Sequence, residues 1–515
     1  MLAMLLAAAV TADRPNVLFA ISDDQSFPHC SAYGCRWVDT PGFDRVARGG
    51  LLFTNCYTPN AKCAPSRACV LTGRNSWQLE AAANHVFYFP PKFKTWVEAL
   101  GEAGYRTGMT AKGLAPSVNL AEGGDPRFPT GKPYNAAKLE PPTTGITKTD
   151  YAGNFEAFLD DGDADTPWSF WYGCVEPHRR YEYGTGAKLA GKDPRTVDEV
   201  PDYWPDNEVV RNDMLDYAFE IEHFDSHLVR MLDLLEERGQ LENTLVIVTA
   251  DNGMPFPRVK GNAYERSNHL PLAIMWAAAI KEPGRTVEDF VSFIDFAPTV
   301  LEAAGVSDHG MASITGRSLM PVFQSPDAAH RDHVLIGKER HDLGRPGDAG
   351  YPVRGLVDGR FTYLRNFKPD RWPAGNPETG YMNTDGSPTK TLILDQRRAG
   401  ADRRYWDLCF GKLPAEELFD RVADPLCVNN LAGNPAYAAD LKRLKEQMTA
   451  ELTAEEDPRI LGNGDVFETY PYSQPRMQGF YEKFTSGWTD EKGRGVRAGW
   501  IQQSDVEPGP IRSEQ

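Results

Sequence analysis

The chain has 515 residues, 41% of them apolar and 25% charged, which is the balance of a globular protein and excludes wholesale disorder. Its length exceeds one ordinary domain, so two packed units with a sizeable core are expected. Against 72 acidic side chains stand only 55 basic ones, for a formal charge of −17, and the lack of any basic run that would track a phosphate backbone argues against a nucleic-acid partner.

Residues 1–12, MLAMLLAAAVTA, are apolar, end in small residues and are too short to span a bilayer. They resemble a secretory signal peptide without its positive n-region, so a secreted or periplasmic location is expected. No other segment approaches a membrane span. Short β-branched or apolar runs at 16–22, 105–110, 169–175 and 244–250 read as strands, and they alternate with helical patterns, which predicts βαβ units and a largely parallel sheet. A helix is predicted over 212–238, where Met214, Tyr217, Ile221, Phe224, Leu228, Met231 and Leu235 keep three-and-four spacing and Gly239 supplies the stop. His223 and His227 share one face of it, but no catalytic glutamate pattern surrounds them, and a structural role is expected. After residue 333 the texture turns to Gly, Pro, Arg and aromatic residues. There 353–366 reads as a hairpin with Asp358-Gly359 at its turn, and 435–453 as a polar helix. The last fifty residues are Gly- and Pro-rich, and no structure is assigned to them. This divides the chain into 1–12 (leader), 13–333 (α/β unit) and 334–515 (smaller α+β unit).

The ends of the four strands carry the polar residues that matter. Asp23 and Asp24 follow the first, Lys112 the second, His178 the third, and Asp251 with Asn252 the fourth. In open α/β sheets ligands gather beyond the carboxyl edge of the strands. Asp23, Asp24, Asp251 and Asn252 offer only oxygen donors, the chemistry of a hard divalent cation such as calcium rather than zinc. Between the first two strands, residues 63–74 read CAPSRACVLTGR. Pro65 suits the first position of a helix, which predicts Cys63 just ahead of a short helix running towards Gly73, where an oxyanion would meet free N–H groups and the positive end of the helix dipole.

This dodecapeptide resembles the signature of the sulfatase family, Cys-x-Pro-Ser-Arg followed by Leu-Thr-Gly, in which the cysteine is converted to formylglycine. SDDQ at 22–25, TADNG at 249–253 and IDFAPTVLEAAG at 294–305 are similar to further motifs of that family. EPH at 176–178, RNF at 365–367 and ELFDRVADP at 417–425 look like its heparan N-sulfatase (sulfamidase) branch. The resemblance implies the alkaline-phosphatase-like sulfatase fold, α/β, with a large, mostly parallel central sheet flanked by helices and a smaller C-terminal subdomain. It also implies one calcium ion held by Asp23, Asp24, Asp251, Asn252 and the modified Cys63, and maturation by a formylglycine-generating enzyme. Arg67, Lys112 and Lys260 would stabilise charge on the sulfuryl oxygens, and His178 would protonate the leaving group. His85, Arg340, His341 and Arg354 lie in segments resembling those that close the sugar pocket, where cations suit a carboxylate or a sulfate. One departure stands out. The family commonly shows Lys-x-His where this chain has Lys112-Gly113-Leu114, so the histidine credited with releasing sulfate is missing, with His85 or His341 as possible substitutes.

The activity so implied is hydrolysis of a sulfate ester or sulfamate on a carbohydrate, heparan-type N-sulfoglucosamine first. The alternatives are an O-sulfate of another polysaccharide such as an algal one, then a phosphomonoester or phosphonate ester, then glycan binding without turnover. With Cys63 modified, seven cysteines remain, an odd number, so at least one stays unpaired. Cys30 with Cys35 and Cys409 with Cys427 are candidate loops, and the connectivity is open.

Overall fold

The computed structural model describes residues 14–163 and 165–507, so the expected leader lies outside the described residues. An eight-stranded sheet runs in the order Arg285–Ser292, Leu51–Tyr57, His269–Met275, Thr244–Ala250, Asn16–Ser22, Trp168–Gly173, Arg106–Ala111 and Lys132–Pro133. His269–Met275 alone pairs antiparallel with its neighbours. The four predicted strands are there, within one or two residues of their expected ends, and all are parallel to one another.

The period of two along the first strand builds the two cores. Val17, Phe19 and Ile21 point to one face, under the helices Cys63–Thr72, Trp96–Glu102 and Phe296–Ala303. Leu18 and Ala20 point to the other, under Pro41–Gly49, Tyr151–Asp160 and Glu208–Glu237. A strand covered on both faces is continuously apolar, and every residue from Val17 to Ile21 is fully buried. The long helix starts four residues earlier than the periodicity alone predicts because Asn207 caps it, its side chain accepting from the Val210 N–H. His223 and His227 of that helix pack against Tyr151 of the helix Tyr151–Asp160 and belong to no group of potential metal ligands among the described residues.

A second, four-stranded antiparallel sheet follows, ordered His333–Lys338, Val353–Asp358, Phe361–Asn366 and Glu416–Asp420. Its central pair is the predicted hairpin. The turn is held by Asp358, whose Oδ1 accepts from the N–H groups of Arg360 and Phe361 at 2.9 and 2.7 Å, an Asx-type turn. The helix Ala438–Ala454 lays Leu444, Met448 and Leu452 on this sheet. The two sheets meet close to the strand ends of the first, where the Gly337 N–H donates to the carbonyl of Pro59 at 2.7 Å. No helix among the described residues is long and apolar enough to cross a membrane. All eight cysteines are free thiols, so neither candidate disulfide loop is closed.

Candidate active site

Parallel pairing decides where the chemistry goes. Ser22 is level with Ala250, and Ile21 and Ala111 are both level with Gly173, so Asp23, Asp251, Lys112 and the loop to His178 leave the sheet at the same edge. A fifth strand, Leu51–Tyr57, delivers Cys63 there. The helix begins at Cys63 itself, with Lys62 as N-cap and Gly73 closing it in the left-handed region at φ 67°. Pro65 therefore sits third rather than first, where its missing N–H still costs nothing because the opening N–H groups of a helix have no partner within it.

Cys63 Sγ lies 3.3 Å from Asp23 Oδ1 and 3.9 Å from Asp24 Oδ1. One donor atom from each of Asp23, Asp24, Cys63 and Asp251 lies within 4.8 Å of all the others, and all four residues are buried. The Asp24 N–H donates to Asp251 Oδ1 at 3.0 Å, and Asp24 adopts φ 72°, a left-handed conformation that Asp tolerates better than most residues. Burial raises the Asp23 carboxyl above the usual carboxylate range, and Asp251 beside it adds to the effect. Asp251 goes the other way: against its burial, Arg67 and Lys112 lower it to about 2. Asn252 donates to Asp24 Oδ1 at 2.5 Å, while its own Oδ1 is buried without a partner. A buried, orphaned acceptor beside three carboxylates is the arrangement that a divalent cation satisfies, and an all-oxygen donor set suits calcium.

Three cations interleave with these acids. Arg67 is wholly buried; its Nε donates to Asp251 Oδ2 at 2.8 Å and its Nη1 to the Lys112 carbonyl at 2.7 Å. The Lys112 ammonium pairs with Asp23. Lys260 Nζ sits 2.5 Å from Asp24 Oδ2 and 2.7 Å from Asp385 Oδ2. Burial opposes the charge on both lysines, but the carboxylates around them raise both above the ordinary lysine range. His178 Nε2 lies 3.9 Å from Asp24 Oδ2. Its Nδ1 is 2.6 Å from the Arg179 carbonyl, which can only accept, so Nδ1 carries a hydrogen and Nε2 is the nitrogen turned to the site. The Cys63 thiol is raised well above its ordinary range by burial and by Asp23, which leaves the unmodified thiol protonated and a poor nucleophile.

Of these groups, Cys63, Lys112, His178, Lys260 and Asp385 line a cavity of about 190 Å³. Of the four residues proposed to contact substrate, only His85 reaches it. Its Nδ1 is 3.0 Å from Asp342 Oδ1 and its Nε2 is buried without a partner. Arg354 does not face the cavity. It is buried under Trp77 and paired with Asp457 and Glu339. Arg340 donates to the Tyr470 carbonyl, and His341, fully buried, bonds Asn60 through Nε2 at 2.7 Å; neither lines the cavity. Their segments come near the site, but these side chains are committed to buried partners away from it, Arg354 from within a strand and Arg340 and His341 from the irregular stretch after His333–Lys338. Leu114, where the family histidine is missing, is packed in the apolar core.

Sequence reasoning missed Lys62, Asp342 and Asp385, and it missed the tail. Lys62 pairs with Asp342 at 2.8 Å, Asp385 holds Lys260, and Tyr472, Gln474 and Trp500 from the unassigned last fifty residues close the cavity. Lys62 alone carried a signal, standing immediately before the signature.

Residues 15–306 match the sulfatase family model. The chain belongs to the sulfatase family. It is 27% identical to the human N-sulphoglucosamine sulphohydrolase, over 92% of this chain and 97% of that protein. An ulvan-active sulfatase of Formosa agariphila is 26% identical, over 88% of this chain and 77% of its own. Among solved structures, one in complex with its substrate D-glucosamine-2-N,6-O-disulfate superposes with a TM-score of 0.64 at 21% identity, covering 86% of this chain and 98% of that one. That likeness supports the α/β fold with its large central sheet.

Proposed function

We propose that this sulfatase hydrolyses a sulfamate or sulfate ester on a carbohydrate, N-sulfoglucosamine first, using one calcium ion and a formylglycine formed from Cys63 by a formylglycine-generating enzyme, and that it works outside the cytoplasm, secreted or periplasmic. The observation that carries the reading is the gathering of Asp23, Asp24, Asp251 and the orphaned Asn252 Oδ1 around residue 63, at the first turn of a helix and among the buried Arg67 and Lys260 and the partly buried Lys112.

Asp23, Asp24, Asp251 and Asn252 would hold the ion, with Cys63 Sγ marking where the formylglycine oxygens stand. Bound together, the two groups would supply an oxygen nucleophile at neutral pH. Everything else falls to this chain's own side chains. Arg67 fixes Asp251 and the segment after strand Arg106–Ala111 in place. Lys112 and Lys260 present preorganised positive charge to the sulfuryl oxygens, where water is excluded and such charge is worth most. His178 Nε2 is placed to hand a proton to the departing sugar oxygen or nitrogen. His85 takes the part of the histidine missing at Leu114. Its Nδ1 is hydrogen-bonded to Asp342, which leaves Nε2 with a lone pair and no partner of its own, so Nε2 is the nitrogen that would accept a proton. His341 is unsuited, because it never reaches the cavity.

The likeness to an ulvan-active sulfatase over 88% of the chain keeps O-sulfate of an algal polysaccharide as the second reading. Chromatographic desulfation of N-sulfoglucosamine and of O-sulfated oligosaccharides, beside aryl sulfate and aryl phosphate, tests both. Release from N-sulfoglucosamine supports the first reading and release only from O-sulfated sugars the second. A hundredfold preference for phosphate, about 3 kcal/mol in barrier, would overturn both.

A further inference from the structure

Trp500 and Asp385 line two cavities at once. On one side is the cavity of about 190 Å³ at residue 63; on the other is a larger opening of about 500 Å³ bounded by Arg179, Arg180, Gly386 and Gln502. The second opening is within the range of small-ligand sites, and Asp385 and Trp500 form its boundary with the first. Its charges do not cancel equally. Asp385 shares Lys260 with Asp24, at 2.7 and 2.5 Å. Arg179 is committed to Asp213, with bonds of 2.7 and 2.9 Å to its two carboxylate oxygens. Arg180 is exposed and forms no ion pair with any described residue. In a chain of formal charge −17, an unneutralised guanidinium at the mouth of the site is the local attraction that an acidic substrate needs, since the global field repels it.

We propose that this opening is a second subsite, and that Arg180 in it receives an anionic group, a carboxylate or a sulfate, on the sugar next to the one being desulfated. A planar guanidinium matches either oxyanion in bidentate fashion, while Trp500 forms the partition between the two sugars. The proposal rests on the carbohydrate reading above and adds the chemistry of the neighbouring residue.

The test measures binding and turnover separately. Calorimetry on the full-length chain bearing Cys63→Ser compares an N-sulfoglucosamine–uronate disaccharide with its carboxyl-reduced form and with a form sulfated on the reduced neighbour. The expected result is at least about fivefold tighter binding of either anionic disaccharide, a gap that narrows as salt is raised. Arg180→Ala should erase it and Arg180→Lys keep part of it. On the mature enzyme, Arg180→Ala should raise KM for the acidic disaccharide and leave N-sulfoglucosamine itself unchanged. Equal affinity for charged and neutral disaccharides, or a preference that survives Arg180→Ala, overturns the subsite. Failure of the mature enzyme to desulfate any of these sugars would instead count against the carbohydrate reading, and the calorimetry would still decide the subsite.

Discussion

Replacing Arg354 by Met separates a structural from a substrate-binding role. The guanidinium donates from Nε and Nη2 to the two Asp457 oxygens at 2.8 and 2.9 Å, from Nη2 to Glu339 at 2.8 Å, and from Nη1 to the Val353 carbonyl at 2.9 Å, all beneath Trp77. Without it, Glu339 keeps Arg459, 2.7 Å away. Asp457 keeps only the Arg459 N–H at 3.0 Å and becomes a buried carboxylate with no cation. Stranding one partner of a buried pair costs about 3–5 kcal/mol, and Met refills most of the apolar stem without adding a void. Urea unfolding should register that loss, and adding Asp457→Asn should recover a large part of it, a coupling that a double-mutant cycle measures. KM of the folded fraction should not move. Unchanged stability together with a raised KM would refute this assignment and return Arg354 to the substrate pocket.

Lys260→Met leaves Asp24 and Asp385 without their shared cation and should lower kcat by about 10²–10³-fold, as loss of one preorganised charge-stabilising group does; a variant that loses less than about threefold would remove Lys260 from the site. His85 offers a pH signature. Burial lowers it to about 4, outweighing Asp342 beside it, with Lys62 and Lys112 pressing the same way as burial. The unfolded chain then binds the proton first, so this group costs stability as pH falls from about 6.5 to about 4. His85→Gln should flatten that part of the stability profile and slow turnover in the same variant; an unchanged slope would contradict the assignment. Chelation should lower both the melting temperature and the activity, and calcium should restore them. Calcium at a hundred times its Kd contributes about 2.7 kcal/mol, and Asn252→Leu should weaken the effect. Melting indifferent to chelator and calcium alike would mean that the acidic cluster binds no ion.

Much of the site was legible because its residues sit at places where sequence pattern and topology coincide. Asp23, His178 and Asp251 each follow a mostly apolar run that forms a buried strand, Lys112 follows the more polar strand RTGMTA, and parallel pairing brings all four together. The strand Leu51–Tyr57 escaped because LLFTNCY breaks its apolar run with two polar residues before its end. Arg354 and His341 were misplaced for a different reason. A motif fixes which segment is near the site, whereas the direction of Arg354 depends on the register of the sheet it pairs in, and that of His341, which lies outside the strands, on its bond to Asn60. Asp342, Asp385 and Trp500 stand in irregular stretches with no periodicity to read. Their positions follow from tertiary contacts such as the bond from Trp500 Nε1 to the Met382 carbonyl at 3.0 Å, and nothing local announces those.

The central claim is that catalysis runs through an aldehyde made from Cys63. The direct measurement is the fraction of the Cys63 peptide carrying formylglycine, determined by mass spectrometry across preparations matured to different extents and set against specific activity towards an aryl sulfate. The account predicts a straight line through the origin and no activity in Cys63→Ala. Activity that is independent of conversion, or that persists in Cys63→Ala, would contradict it.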